Sequence, residues 1–197
     1  MDPEAQRTLE TLRAGGLVAW PTDTTWGLLA RADRPEALRR IYAIKGRPGH
    51  KPLQLLAAST EAAAALVAPG PWRADLERLA AVFWPGGLTL VAPAAPAAPP
   101  AVVHGGKVGL RVPADPALRE VLAALGGWAA ATSLNRSGAP PVASRAEAMR
   151  YADRVDRVHP GEAGGRLAST VFDLETRRVL RAGAVSEAAL REVLEAS

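Results

Sequence analysis

Two rhythms of apolar positions run along this chain. Apolar residues three or four apart predict helices, and short unbroken apolar runs bounded by glycine or proline predict buried strands. Residues 4–13 read as a helix with Leu9 and Leu12 on one face, ended by Gly15-Gly16. Leu17-Val18-Ala19-Trp20 reads as a short strand halted by Pro21. Residues 33–44 read as a helix, with Asp33 and Glu36 spaced as a capping box ahead of Leu38, Ile41 and Tyr42. A polar loop over 45–51, a strand over 53–56, helices over 59–67 and 73–83 and a strand over 88–91 follow.

Residues 92–101 are almost all alanine and proline, which cannot sustain a helix or a central strand, so they read as a stiff surface loop. Val108 to Val112 reads as a strand. The next helix is the clearest: Asp115 suits the N-cap, Pro116 the first turn, and Leu118, Val121, Leu122 and Leu125 form one stripe closed by Gly126. A strand over 128–132 follows. Ser144 and Glu147 form a capping box for a helix to about Tyr151, strands lie near 154–158, 170–174 and 178–181, and Ser186 opens a last helix. The alternation predicts one α/β domain over residues 1–197, with antiparallel pairing at the hairpin-like end, Asp173–Arg181.

Composition narrows the chemistry. The chain has no cysteine, which excludes disulfides, thiolate metal sites and cysteine nucleophiles and suits a cytoplasmic location. No apolar run is long enough to span a bilayer, and Met1-Asp2-Pro3-Glu4 does not read as a secretory signal. The net charge of +4 permits a polyanionic partner or a nucleotide site. Of 24 basic residues only Lys45, Lys51 and Lys107 are lysines, and Asn135 is the sole asparagine. Composition bias explains their rarity but not their positions, and lysine does what arginine cannot where a compact charge is needed.

Four polar clusters stand beside predicted strand ends, where α/β proteins place ligands. Thr22-Asp23-Thr24-Thr25-Trp26-Gly27 offers three hydroxyls and a carboxylate; extended, Thr22, Thr24 and Trp26 would share a side, but taken alone the segment is better explained as a polar turn. In Lys45-Gly46-Arg47-Pro48-Gly49-His50-Lys51 an extended backbone would set Lys45 and Arg47 on one side to hold phosphate oxygens, against a plain basic loop at a helix C-terminus. Ser133-Leu134-Asn135-Arg136-Ser137-Gly138 places the lone asparagine between two serines, where a simple turn would do as well with Asp or Gly; a binding role fits better. Gly164-Gly165-Arg166-Leu167-Ala168-Ser169-Thr170 is a glycine-rich loop with free N–H groups and hydroxyls for an anion. The phosphate-binding loop, dinucleotide, serine-hydrolase and zinc-protease motifs are absent, and His50, His104 and His159 show no metal spacing.

Taken in order, Pro21-Thr22-Asp23-Thr24-x-Trp26-Gly27-Leu28, Lys45-x-Arg47-Pro48, Trp84-Pro85-Gly86-x-Leu88-Thr89, Val108-Gly109-Leu110-Arg111-Val112-Pro113, Ser133-x-Asn135-x-Ser137-Gly138 and Ser169-Thr170-Val171 resemble the YrdC-like family from about residue 10 onward. The resemblance implies a twisted, mixed parallel and antiparallel sheet with flanking helices around a large basic cavity. It implies synthesis of threonylcarbamoyl-AMP and pyrophosphate from L-threonine, bicarbonate and ATP with Mg²⁺, and other proteins that pass the group to tRNA. By the same resemblance, Thr24, Arg111, Ser169 and the backbone at Ala131 contact threonine. Arg47, Lys51, Lys107, Ser133, Pro141 and Arg181 contact ATP. Lys45, Arg47, Ser133 and Asn135 act at the reacting phosphate. Trp26 departs from the family's usual Tyr or Phe, Leu134 from a small residue, and Leu56 stands where some long members carry a histidine. The alternatives are a sister branch of the fold, other carbamoyl-adenylate chemistry, and direct RNA binding through the cavity.

Overall fold

The computed structural model describes residues 1–46 and 52–196. Its strands are β1 (Val18–Pro21), β2 (Trp26–Ala30), β3 (Gln54–Ala57), β4 (Leu88–Pro93), β5 (Lys107–Arg111), β6 (Trp128–Ser133), β7 (Arg157–Val158), β8 (Thr170–Asp173) and β9 (Arg178–Arg181). The helices are α1 (Pro3–Arg13), α2 (Pro35–Lys45), α3 (Thr60–Ala64), α4 (Trp72–Phe83), α5 (Pro116–Ala124), α6 (Arg145–Ala148) and α7 (Glu187–Glu195). The strands form a single sheet in the order β7-β1-β2-β6-β3-β5-β4-β8-β9. Pairs β1–β7, β3–β5 and β4–β8 are parallel and the rest antiparallel, so the sheet is mixed, as the resemblance implies.

Successive side chains of a strand point to opposite faces, and that period of two divides this sheet. One face carries Ala19, Leu28, Leu55, Leu90, Leu110 and Phe172, and α2, α4 and α7 bury it. The other face splits in two. Over β1, β2, β6 and β3 it is apolar, and α1 and α5 cover it through Leu9, Leu12, Leu118, Val121 and Leu122. Each of those leucines and the valine contributes about 1.5–3 kcal/mol by leaving water. Over β3, β5, β4 and β8 the same face carries Gln54, Lys107, Gly109, Arg111, Thr89, Val91 and Asp173, and there it floors a cavity of about 380 Å³.

The local signals for α5 and α6 hold. Asp115 caps α5 by accepting from the N–H groups of Ala117 and Leu118, and Ser144 and Glu147 form the expected reciprocal box. Other expectations need correction. The helix expected from Asp33 starts at Pro35 after an uncapped Arg34, because Arg31 takes the Asp33 carboxylate with Nε at 2.8 Å and Nη2 at 2.5 Å. The threonine cluster, by contrast, is the polar turn that its residues favoured: it closes a β1–β2 hairpin through Thr22 N–H to Thr25 O. Trp26 to Ala30, unassigned in the sequence reading, is a fully buried strand. Ala92 and Pro93 extend β4, and Ala98 is buried, so the Ala/Pro stretch is only partly a surface loop. No helix among the described residues is long and apolar enough to cross a membrane.

Candidate active site

Arg111 ends β5 on the cavity face and is almost wholly buried, at 3% exposure. Its Nε donates to Gly86 O (2.8 Å), Nη1 to Thr24 Oγ1 (2.8 Å) and Nη2 to Asp23 Oδ1 (2.7 Å). Those three bonds leave the remaining donors of the guanidinium fork for a ligand. Burial pushes the Arg111 pKa down, and the Asp23 carboxylate works against that shift. The threonine turn has a fixed sense: Thr22 gives its hydroxyl proton to Thr25 O at 2.7 Å, so Thr24 must donate to Thr22 Oγ1. Thr24 therefore presents only acceptor capacity to the cavity.

Ser169 and Arg181 stand beside this cluster. Arg181 donates from Nε and Nη2 to Ser169 O at 3.2 and 2.8 Å, and from Nη2 to Ser169 Oγ at 3.1 Å. Burial lowers the Arg181 pKa, and the nearby Arg111 charge lowers it further. Two guanidiniums close enough to repel, with a carboxylate bonded to Arg111 alone, favour an anionic ligand.

Lys45 sits elsewhere than expected. It is the last residue of α2, buried at 3% exposure, and Gly46 turns the chain away at φ 56°. An extended Lys45-x-Arg47 pair is thus excluded at its first member. Lys45 Nζ donates to Ser133 O (2.7 Å), Ser133 Oγ (3.2 Å) and Asn135 Oδ1 (2.5 Å). Asn135 is anchored in turn by Nδ2 to Ala139 O at 2.6 Å. The lone asparagine is explained: an amide both accepts from the ammonium and donates to a carbonyl, which Asp or Gly cannot do. Ser133 lines the cavity, whereas Lys45 and Asn135 stand directly behind it.

Lys107 lines the cavity but is already partnered, with Asp173 Oδ2 at 2.8 Å and Glu175 Oε2 at 2.7 Å. Those carboxylates, Asp173 foremost, hold its pKa above the usual lysine value. Burial pushes Asp173 up, but Lys107 and the N–H groups of Thr176 and Glu175 outweigh it, and the carboxyl stays below its ordinary range. Ala131 lies in the floor; Pro141 does not line the cavity. Arg47, Lys51 and His50 lie outside the described residues. The Gly164-Gly165 loop is not a free anion cradle, since Gly164 N–H bonds Thr22 O at 2.9 Å. A Cβ at Gly164 or Gly165 would stand 3.1 or 3.0 Å from the backbone of Asp23 or Thr24, so the glycines allow this loop to lie against the threonine turn.

Sequence reasoning did not find Gln54, Thr89, Asp173 or His104 as cavity residues. The signal was present as alternation in one strand only: Lys107-Val108-Gly109-Leu110-Arg111 changes character with period two, marking a wet face, whereas Ser169-Thr170-Val171-Phe172-Asp173 shows no such alternation.

Residues 10–183 match the family model Sua5_yciO_yrdC, described as Telomere recombination. The chain is 40% identical over 157 residues to the threonylcarbamoyl-AMP synthase of Halorhodospira halophila, covering 78% of this chain and 81% of that protein. It is 39% identical over 181 residues to the threonylcarbamoyl-AMP synthase of Chromobacterium violaceum, covering 89% and 91%. The crystal structure of P. abyssi Sua5 complexed with L-threonine superposes with a TM-score of 0.87 at 33% identity, covering 96% of this chain and 57% of that one. A match across most of the chain in both sequence and fold places this protein in the Sua5/YciO/YrdC family.

Proposed function

We propose that this protein is an L-threonylcarbamoyladenylate synthase. The observation that carries the reading is the cavity's pairing of Arg111 and Arg181 with the hydroxyl oxygens of Thr24 and Ser169, set across the same floor from Ser133 and its Lys45–Asn135 support. The Arg111 guanidinium would take the threonine carboxylate, and the acceptor face of Thr24 would take its amine or hydroxyl. The relatives in Halorhodospira and Chromobacterium carry the synthase name, and the Pyrococcus relative was crystallised with threonine.

The reaction needs no protein nucleophile, which suits a chain without cysteine. The threonine amine adds to bicarbonate and water leaves, giving a carbamate. A carbamate oxygen then attacks the α-phosphorus of ATP, its bond to the bridging oxygen breaks, and pyrophosphate departs. The protein's part is to align two anions and meet the charge that develops on phosphorus. Ser133, stiffened by the ammonium of Lys45 behind it, would face the α-phosphate, with Lys107, Arg181 and the Arg47–Lys51 segment serving the rest of the nucleotide. Mg²⁺ would arrive on the triphosphate and neutralise charge on its oxygens. The product would pass to proteins that transfer the threonylcarbamoyl group to tRNA.

The test is pyrophosphate release by the purified protein with ATP, Mg²⁺ and bicarbonate, with threonine, serine or no amino acid. Threonine-dependent release is expected; release indifferent to the amino acid would reject the assignment.

A further inference from the structure

Gln54, one of two glutamines in the chain, is the first residue of β3 and stands in the middle of the cavity floor. Across the sheet it pairs with Ala131 on β6, and on the other side a Cβ at Gly109 would lie 3.6 Å from its own Cβ. Both neighbours are small, so the carboxamide rises into open space. Its oxygen is committed: Thr89 Oγ1 donates to Oε1 at 2.9 Å. Thr89 lies 2.8 Å from Ser169 Oγ, which accepts from Arg181 Nη2. The protons therefore run one way, from Arg181 through Ser169 and Thr89 to Gln54 Oε1. The Gln54 amide nitrogen has no protein partner among the described residues, so its two N–H donors remain for a ligand.

Position says which ligand. Arg111 lies two residues beyond Gly109 along β5, and Ser133 two residues beyond Ala131 along β6 in the opposite sense across the sheet. Each step of two residues is about 6.6 Å. The Gln54 row thus separates the arginine end from the Ser133 end, and whatever joins an amino acid to an α-phosphate must lie over it. In the reaction proposed above that joint is a single carbon bearing oxygens. We propose that Gln54 holds this one-carbon oxyanion, bicarbonate and then the carbamate, by donating from its amide nitrogen, with Thr89 fixing the amide's orientation.

This inference rests on the synthase reading, and the experiment separates the two. Initial rates of pyrophosphate release are measured against bicarbonate at saturating threonine and ATP for wild type, Q54L and Q54E. Q54E keeps an acceptor for Thr89 in the same shape and removes the donors, so it tests the idea even if Q54L folds poorly. The KM for bicarbonate is expected to rise by about tenfold or more in both variants, the loss of a well-made hydrogen bond to an anion. Threonine binding by calorimetry should stay within about twofold of wild type on the same grounds. An unchanged bicarbonate KM in an active wild-type background, or a shift confined to threonine or ATP, overturns the role given to Gln54. A wild-type protein without threonine-dependent release overturns the synthase reading instead.

Discussion

The arginine end of the cavity and the Ser133 end are held by different kinds of structure. At the first, Arg111 binds partners 87 and 88 residues away, Thr24 and Asp23, and Arg181 clasps the edge of β8. Arg111 and Arg181 each end a strand, and Asp23 and Thr24 sit in the hairpin turn between two others. At the second, the ammonium of Lys45 comes from a helix terminus and holds a turn, while Lys107 is neutralised by Asp173 and Glu175. The contrast teaches that one end is assembled in advance with donors to spare, while the other has its positive charges already engaged by protein groups.

The largest expected effect breaks the first end. Arg111→Gln removes the counter-charge of Asp23 and should cost about 3–5 kcal/mol of stability, read by urea unfolding, because a part-buried carboxylate loses its partner. Threonine binding by calorimetry should vanish in whatever folds. Lys45→Ala attacks the second end. It should lower turnover about a hundredfold, roughly 2.7 kcal/mol, because Ser133, the donor at the α-phosphate, loses the ammonium that holds it in place. Threonine affinity should remain close to wild type. If both ends fail together in Lys45→Ala, the ends are not separable and the contrast is wrong.

Asp173→Asn sharpens the contrast in the other direction. Releasing Lys107 from its buried partner should lower the KM for ATP by about threefold to tenfold, more at low salt than at high. A higher KM would mean that the carboxylate orients Lys107 instead of competing for it.

The smallest effect is a reference outside both ends. His159 stacks on Trp20 with ring centres 3.4 Å apart, and its Nδ1 lies 3.0 Å from Thr8 Oγ1. Burial, helped by the Arg157 charge, pushes its pKa down to about 4 from 6.5. The unfolded chain therefore takes up this proton first on acidification. Stability is full above pH 6.5 and is lost as pH falls towards 4. Residual solvent contact limits the loss to about 1–2 kcal/mol. His159→Gln should flatten that limb of a thermal melt without altering threonine binding.

Most elements were legible because helices and buried strands carry their own periodicity and caps. β2 was not, since the threonines before Trp26 carry strong turn chemistry and the strand is apolar on both faces. The capping box at Asp33 failed because a neighbour two residues back took the carboxylate, a choice that spacing cannot reveal. At the site, motif resemblance named Thr24, Arg111, Ser169, Ser133 and Arg181, and all of them line one cavity. What it could not give was who holds whom. The Asp23–Arg111 and Lys107–Asp173 pairs join strands distant in sequence, and only sheet order brings them together.

The two glycines at 164 and 165 carry a consequence for how this protein could change. They touch no part of the cavity, yet their bare α-carbons set how deeply the Asp23–Thr24 backbone is seated. A single methyl there would lift the turn by a few tenths of an ångström and retune the guanidinium beneath it. Preference among amino acids could thus drift through a remote loop while every residue in contact with the substrate stayed the same.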